Sequence, residues 1–131
     1  GEYRETAPVC KGNRGMIAVS ANGNVFPCHQ MSGYYEQHGD NLGNVKQTPL
    51  EELLSGGMYL DEVCTTLGTL REKNEKCGKC PHFERCNGGC RAIALALTGH
   101  KLGIDPSKCL FWENGYAEKI AAALPDYETN I

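Results

Sequence analysis

Four cysteines within fourteen residues constrain this chain more than any other feature of its sequence. They stand in the run Cys77-Gly-Lys-Cys80-Pro-His-Phe-Glu-Arg-Cys86-Asn-Gly-Gly-Cys90. A Cys-x-x-Cys pair directs two sulfurs at one metal from a single tight turn, and thiolates are preferred ligands of zinc and of iron–sulfur clusters. The run therefore predicts a thiolate-bound metal site around which the chain is organised.

The overall composition favours metal binding over disulfides. The chain has eight cysteines in 131 residues, which is a lower fraction than in dense secreted disulfide scaffolds. Its start, Gly-Glu-Tyr-Arg, shows no signal peptide and no initiating Met, which suggests a fragment of a longer protein. Only 8% of residues are aromatic, so metal ligation would add stability to a thin apolar core. We expect metal-bound thiolates in a reducing, cytoplasmic compartment.

Charge and hydropathy exclude two classes of partner. A net charge of −3 opposes binding to nucleic acid. The longest nearly apolar run, residues 92–97, is far too short to span a membrane. The four histidines and the carboxylates show no paired pattern for acid–base or nucleophilic work. We therefore predict no nucleic-acid partner, no membrane segment and no catalytic residue in this chain.

The remaining elements predict a small α+β domain that begins with a β-hairpin. Residues 16–20 and 25–28 form the expected strands, and Asn22-Gly23 between them is the preferred pair for a two-residue type I′ turn. Cys10 and Cys28 flank this hairpin and are interpreted as metal ligands that the rigid hairpin holds in place. Residues 29–40 are expected to be irregular.

Three or four helices are expected after the hairpin. A capping box at residues 48–51, with Thr at the N-cap, predicts a short helix that ends at about Leu54. Apolar residues at helical spacing predict one continuous helix over 58–73. Two further helices are predicted over 90–98 and from Asp105-Pro106 to Pro125.

Two cysteines lie on these predicted helices. Cys64 lies beside the apolar stripe of the 58–73 helix, so plain burial is its simpler interpretation, and metal ligation is the alternative. Cys109 lies in the first turn of the last helix, where the helix dipole favours a thiolate. Cys109 is therefore a candidate metal ligand.

The complete cysteine pattern resembles the SPASM domain, the C-terminal extension of many radical S-adenosylmethionine (radical SAM) enzymes. It reads Cys10-x12-Gly23-x4-Cys28, then Cys77-x2-Cys80-x5-Cys86-x3-Cys90, then eighteen residues and Cys109. The family pattern of seven cysteines and one glycine is matched throughout, and the Cys-Asn-Gly-Gly-Cys-Arg-Ala stretch at 86–92 also resembles the family. The resemblance covers about residues 8–116 and implies a single domain over 1–131, excised from a longer radical SAM enzyme.

The resemblance implies two auxiliary [4Fe–4S] clusters with interleaved ligands. By analogy with sulfatase-maturating enzymes, one cluster is held by Cys77, Cys80, Cys86 and Cys109, and the other by Cys10, Cys28 and Cys90. Some relatives complete the second cluster with a cysteine six positions before the first motif cysteine, where this chain has Arg4. Cys64, the substrate or an exogenous ligand would then take the fourth position.

The resemblance also implies a role. In the family, such domains serve electron transfer and substrate positioning in enzymes that modify peptides or proteins. The Cys-x3-Cys-x2-Cys loop that binds the SAM-cleaving cluster is missing, since Cys86-x3-Cys90 is followed by Ile93. We expect the isolated chain to be inactive, with the radical SAM barrel of its parent chain and a peptide or protein substrate as its partners.

The residues alone leave two other functions open. A structural zinc domain, acting as a scaffolding or interaction module, would use the same thiolates with His29 or His82 completing a mixed site. Zinc or single iron ions could also load an isolated fragment in place of clusters. A thiol redox enzyme using Cys77 and Cys80 is disfavoured by Pro81 and by the two nearby cysteines.

Overall fold

The computed structural model describes residues 2–10 and 15–124, and its chain divides into two compact units. The hairpin unit comprises residues 10–65, and the helical unit comprises residues 1–9 and 66–131. The described residues form two short strands and nine helical segments. This confirms a small α+β fold with a hairpin near its N-terminus. The helical part is divided into more segments than the three or four helices expected.

The hairpin pairs β1 (Ala18–Val19) with β2 (Val25–Phe26) in antiparallel register. At its turn the Gly23 N–H donates to the Ser20 carbonyl, and the Ser20 N–H donates to the Asn24 carbonyl, both at 2.9 Å. This is the pattern of a three-residue loop in which a left-handed residue forms a G1 bulge. Gly23, with φ 91°, takes that left-handed position.

The predicted two-residue type I′ turn is wrong, because Asn22 does not adopt the positive φ that it requires. Within the described ranges Asn87 is the only non-glycine residue with positive φ. Asn22 instead uses its side-chain oxygen to accept hydrogen bonds from the Ser20 hydroxyl and, at 3.3 Å, from the Asn24 N–H. Such local bonds let asparagine form a turn without a left-handed backbone.

Three helices complete the hairpin unit: α1 (His29–Gln37), α2 (Leu50–Leu54) and α3 (Gly57–Cys64). The irregular segment predicted over 29–40 is therefore wrong. Helix α1 buries Met31 and Tyr35, one turn apart, and the Tyr35 hydroxyl donates to the buried carboxylate of Glu62 at 2.7 Å. Helix α2 ends as predicted, but Pro49 occupies its N-cap without a side-chain cap bond, so the expected capping box is not formed.

The predicted continuous helix over 58–73 is interrupted at Thr65 and Thr66. Both residues are extended, and α4 (Leu67–Lys73) begins anew with the Thr66 hydroxyl accepting from the Thr69 N–H at 3.2 Å. The Leu67 N–H donates to the Ala7 carbonyl at 2.9 Å instead of to a preceding turn of helix. Threonine favours this capping role over the helix interior, which accounts for the break.

The helical unit continues through five further segments. They are α5 (Glu75–Lys79), α6 (Phe83–Cys86), α7 (Arg91–Thr98), α8 (Pro106–Glu113) and α9 (Tyr116–Ala123). Leu67, Leu70, Cys77 and Phe83 form one buried apolar cluster of this unit. Fully burying a leucine or phenylalanine side chain contributes about 1.5–3 kcal/mol, so this cluster holds α4, α5 and α6 together.

Helices α7 and α8 begin where the sequence predicted. Helix α7 ends at Gly99 (φ 79°), and α8 begins at Pro106 with Asp105 as its N-cap. The last helix is split, because left-handed Gly115 (φ 69°) separates α8 from α9. Its predicted end at Pro125 lies outside the described residues. No helix in the described ranges is long and apolar enough to cross a membrane.

Candidate metal centre

Four thiols of the helical unit line one cavity. Cys77 comes from α5, Cys80 directly follows α5, Cys86 ends α6 and Cys109 lies in α8. The apolar side chains of Phe83 and Trp112 form part of the same wall. These are the four cysteines that the family resemblance assigns to one cluster. The structure brings them to one place, and their ligation of a metal stays a prediction.

Local hydrogen bonds set the Cys77-x-x-Cys80 turn. The side-chain oxygen of Asn74 caps α5 by accepting from the Cys77 N–H at 3.1 Å, and its amide nitrogen donates to the Leu102 carbonyl at 2.8 Å. The Cys80 sulfur accepts from the His82 N–H at 3.4 Å. Asn74 thus joins the first ligand-bearing turn to the segment between α7 and α8.

The loop between Cys86 and Cys90 contains three consecutive left-handed residues. Asn87, Gly88 and Gly89 have φ values of 58°, 82° and 76°. A Cβ on Gly89 would lie 2.5 Å from a carboxylate oxygen of Asp105, and one on Gly88 would clash with the Leu70 side chain. Both positions require glycine, because each has a left-handed backbone and lies too close to a neighbouring side chain to leave room for a Cβ.

Asp105 connects this loop to the start of α8. It is 2% exposed, and its carboxylate accepts from the Cys90 N–H at 2.9 Å, the Ser107 N–H at 3.1 Å and the Ser107 hydroxyl at 2.6 Å. Burial alone would raise the pKa of Asp105, but the hydrogen bonds outweigh it and lower that pKa. The sequence identified the helix cap but not the contact with Cys90.

Arg91 is a buried cation that the sequence analysis did not single out. It is 4% exposed, and its guanidinium donates to the carbonyls of Lys101 at 2.9 Å, Gly103 at 2.7 Å and Gly88. Its Nε is buried without a hydrogen-bond partner. Burial lowers the pKa of Arg91, and the interaction with negative charge on Cys77 and other nearby groups acts in the opposite direction. Arginine stays protonated in proteins. The sequence did contain a signal for this residue, because Arg91 directly follows Cys90 and precedes the six apolar residues of helix α7.

Two thiols of the cavity, that of buried Cys77 and that of half-buried Cys86, have raised pKa values. Burial raises the pKa of Cys77, opposed by the charge of Arg91. Burial also raises the pKa of Cys86, opposed by a hydrogen bond from the Gly88 N–H. Because a thiol loses its proton when it ligates a metal, binding at this cavity releases protons.

The donor set of the cavity fits a cluster held by four thiolates. Four cysteines line it, the Gly88 N–H donates to one of them, Cys86, and the buried guanidinium of Arg91 donates to the Gly88 carbonyl. In residues 2–10 and 15–124 no three His, Cys, Asp or Glu side chains are grouped closely enough to hold a single metal ion. A cluster distributes its ligands over several irons, so its thiolates do not converge on one atom.

The other predicted ligands are divided between the two units. Cys10 and Cys28 are half-buried in the hairpin unit, and Cys90 is half-buried in the helical unit. Their shared ligation of a second cluster stays a prediction. Cys64 is exposed at the end of α3, so its interpretation as a buried packing residue is wrong, while its role as a ligand stays open.

The two histidines considered for a mixed zinc site lie in different units. His29 is exposed at the first position of α1 in the hairpin unit. His82 lines the thiol-lined cavity, and its ring stacks on Trp112 with centroids 6.1 Å apart. Only His82 is therefore placed beside the four thiols of the helical unit.

Comparison with known proteins identifies relatives of the chain. The sequence model of the SPASM family, an iron-sulfur cluster-binding domain, matches residues 10–81. Curated relatives include AdoMet-dependent heme synthases of Nitratidesulfovibrio vulgaris (33% identical; 74% of this chain, 23% of that protein) and Methanosarcina barkeri (35%; 79% and 26%). The PqqA peptide cyclase of Xanthomonas oryzae pv. oryzae is 30% identical over 79% of this chain and 27% of that protein. The chain spans about a quarter of the length of these relatives.

One solved structure supports the fold. Polyhistidine-tagged anSMEcpe with bound AdoMet superposes with a TM-score of 0.53 at 22% sequence identity. The match covers 98% of this chain and 31% of the other. At this identity the likeness describes the fold.

Proposed function

The chain belongs to the SPASM family of iron–sulfur cluster-binding domains, and from this premise we propose that it is the auxiliary cluster domain of a longer radical SAM enzyme. Its domain extends over residues 1–131 with a core at about 8–116. The radical SAM barrel of the parent chain is its proposed partner. The match to AdoMet-dependent relatives along about a quarter of their length supports this assignment.

One observation contributes most to this proposal: the cavity lined by Cys77, Cys80, Cys86 and Cys109. These residues would hold one [4Fe–4S] cluster, with the apolar walls limiting the access of water. Cys10, Cys28 and Cys90 would hold the second cluster, with Cys64 or an exogenous ligand at its fourth position. The left-handed loop after Cys86 would join the two ligand sets, because Cys86 and Cys90 serve different clusters.

The proposed roles are electron transfer and substrate positioning. When bound, the clusters supply one-electron donor and acceptor sites whose potentials depend on hydrogen bonds to sulfur and on solvent exposure. The chain's own contribution is to hold the thiolates, to direct the Gly88 N–H at Cys86, and to cover the cavity with Phe83 and Trp112. No residue of this chain is proposed to be catalytic.

Two substrate classes are proposed for the parent enzyme. A peptide or protein substrate is supported by the relatives named PqqA peptide cyclase. A heme-related substrate is supported by the relatives named AdoMet-dependent heme synthase. Activity assays of the parent enzyme with a peptide and with a tetrapyrrole would distinguish these two classes.

The first test is the iron and acid-labile sulfide content of the chain after anaerobic reconstitution. Two clusters predict about eight irons and eight sulfides per chain, and a brown protein. Cys109→Ser should lower both counts by about half, because it removes one ligand of the helical unit's cluster. Lys79→Gln, which alters a side chain that is 78% exposed and is not a predicted ligand, is the control and should leave both counts unchanged.

A structural zinc domain is the alternative, and the family assignment does not favour it. Zinc bound to thiolates is colourless and brings no sulfide. About two zincs per chain without sulfide, under the same anaerobic conditions, would overturn the cluster proposal and its electron-transfer role.

A further inference from the structure

Arg91 is a buried charged residue whose guanidinium is held in place by three backbone carbonyls. It lies within the helical unit, with its guanidinium behind the cavity-lining residue Gly88, to whose carbonyl it donates. Two further carbonyls, of Lys101 and Gly103, hold its Nη1. The Nε–H, equally buried, has no partner. A long charged side chain is thus held in one orientation close to the thiols, with one donor still uncommitted.

Charge at this position matters for any redox cofactor of the cavity. A cluster ligated by thiolates gains one unit of negative charge when it takes up one electron. A nearby cation stabilises the more negative state, and it does so more strongly when it is buried, because neither water nor salt screens it. The hydrogen bond from Arg91 to the Gly88 carbonyl places this cation next to a residue that lines the cavity together with Cys77 and Cys86.

We propose that Arg91 is a positioning residue whose buried charge favours the reduced state of the cluster held by Cys77, Cys80, Cys86 and Cys109. The proposal rests on the function proposed above, since it requires that cluster. Arg91 is adjacent in sequence to Cys90, a predicted ligand of the other cluster, so one cation lies beside ligands of both sets.

The neighbouring charges do not replace that of Arg91. Asp105 is a buried carboxylate of the same unit, but it is engaged by the Cys90 N–H and by Ser107. Lys76 and Lys108 also line the cavity, but both are exposed, and Lys76 is paired with Glu113 at 3.3 Å. Exposed and paired charges are screened, so the unpaired guanidinium has the largest effect on the cluster's potential.

The test is a redox titration of the reconstituted chain in a background with Cys10→Ser and Cys28→Ser, which leaves one cluster to titrate. Arg91→Gln removes the charge and keeps a hydrogen-bond donor, and Arg91→Lys keeps the charge. Lys79→Gln is the matched control, because it removes a lysine that is 78% exposed and directly precedes Cys80. Iron and sulfide are counted in each sample before titration.

We expect Arg91→Gln to lower the equilibrium constant for one-electron reduction at least tenfold, which corresponds to about 59 mV. Arg91→Lys and Lys79→Gln should stay within about threefold of the background protein. A fully loaded Arg91→Gln protein with an unchanged potential would overturn the proposal, as would an equal shift in Arg91→Lys. If Arg91→Gln binds no cluster, Arg91→Met is titrated in its place. If neither neutral variant binds a cluster, Arg91 has a structural role and the proposal is overturned. Absence of a sulfide-containing cluster in the unsubstituted chain would instead overturn the proposed function.

Discussion

The two units of this protein differ in how their cysteines are placed. The helical unit contains five of the eight cysteines, and four of them line one cavity that also has a buried cation close behind it. The hairpin unit contains Cys10, Cys28 and Cys64, of which two are half-buried and one is exposed. The buried hydrogen bond of this unit joins Tyr35 and Glu62 and involves none of its cysteines.

This difference indicates what stabilises each unit. The helical unit has a small apolar core, and its polar side chains form hydrogen bonds to the loops that contain the predicted ligands. We therefore expect bound metal to account for much of its stability. The hairpin unit is held by its strand pairing and by packing of α1, together with the Tyr35–Glu62 bond.

Removal of the bound metal is expected to have the largest effect, and to affect the helical unit most. Chelation of iron from the reconstituted chain should raise amide hydrogen exchange in residues 75–113 by more than tenfold, because ligation and folding are linked. Amides of α1 and α3 should change less. Equal loss of protection in both units would show that metal binding does not stabilise the helical unit more than the hairpin unit.

Substitution of Gly89 should destabilise the helical unit by about 2–5 kcal/mol. Gly89→Ala adds left-handed strain of about 1–2 kcal/mol and overpacking of about 1–3 kcal/mol, since its Cβ would lie 2.5 Å from an Asp105 oxygen. Urea unfolding monitored by hydrogen exchange in α7 and α8 measures this loss. A stability equal to that of the unsubstituted protein would mean that the loop can rearrange at little cost.

Tyr35→Phe should destabilise the hairpin unit by about 1–3 kcal/mol, because a buried carboxylate loses its hydroxyl donor. Burial and the contact with Glu62 raise the pKa of Tyr35 above its usual value of about 10. The folded state therefore holds the proton more tightly than the unfolded state. This contribution is complete below about pH 10 and is lost as the pH rises further.

Unfolding of the hairpin unit between about pH 9 and pH 11 provides the measurement for this pH dependence. The unsubstituted protein should lose stability across that interval more steeply than Tyr35→Phe. Parallel curves for the two proteins would contradict the predicted role of Tyr35.

Gly33→Ala should have the smallest effect and the opposite sign. Gly33 lies within α1, and a Cβ there would meet no atom within 4 Å. Alanine should therefore stabilise the hairpin unit by about 0.5–1 kcal/mol, since glycine loses more backbone entropy in a helix. Thermal unfolding measures the change, and destabilisation would indicate that α1 needs the flexibility of glycine.

Local sequence signals succeeded where one residue type determines the backbone. Gly99 ended α7, and Asp105-Pro106 began α8, because these residues satisfy helix termini by their own chemistry. The same kind of signal failed for α1, whose few apolar residues and internal Gly33 predict no helix. Burial of Met31 and Tyr35 stabilises that helix, and burial depends on residues far away in sequence.

The predicted continuous helix failed for a related reason. An apolar repeat shows which residues can be buried, but it does not show where a tertiary hydrogen bond replaces a helical one. Leu67 donates to the Ala7 carbonyl, a residue sixty positions earlier, and the helix is interrupted there. Gly115 is a second interruption, which a lone glycine in a helical pattern signals only weakly.

The sequence by itself determined the chemistry of this protein: the number and spacing of its thiols, the family to which it belongs and the α+β class of its fold. Spacing is sufficient for these conclusions, because ligand type and short loops are local properties. Only the tertiary structure decided that Asp105 accepts from the Cys90 N–H and that Arg91 is buried behind Gly88. Asp105 and Cys90 are 15 residues apart, and the carbonyls of Lys101 and Gly103 that Arg91 also binds are 10 and 12 residues from it. The energies of these contacts depend on burial, which is a property of the whole fold.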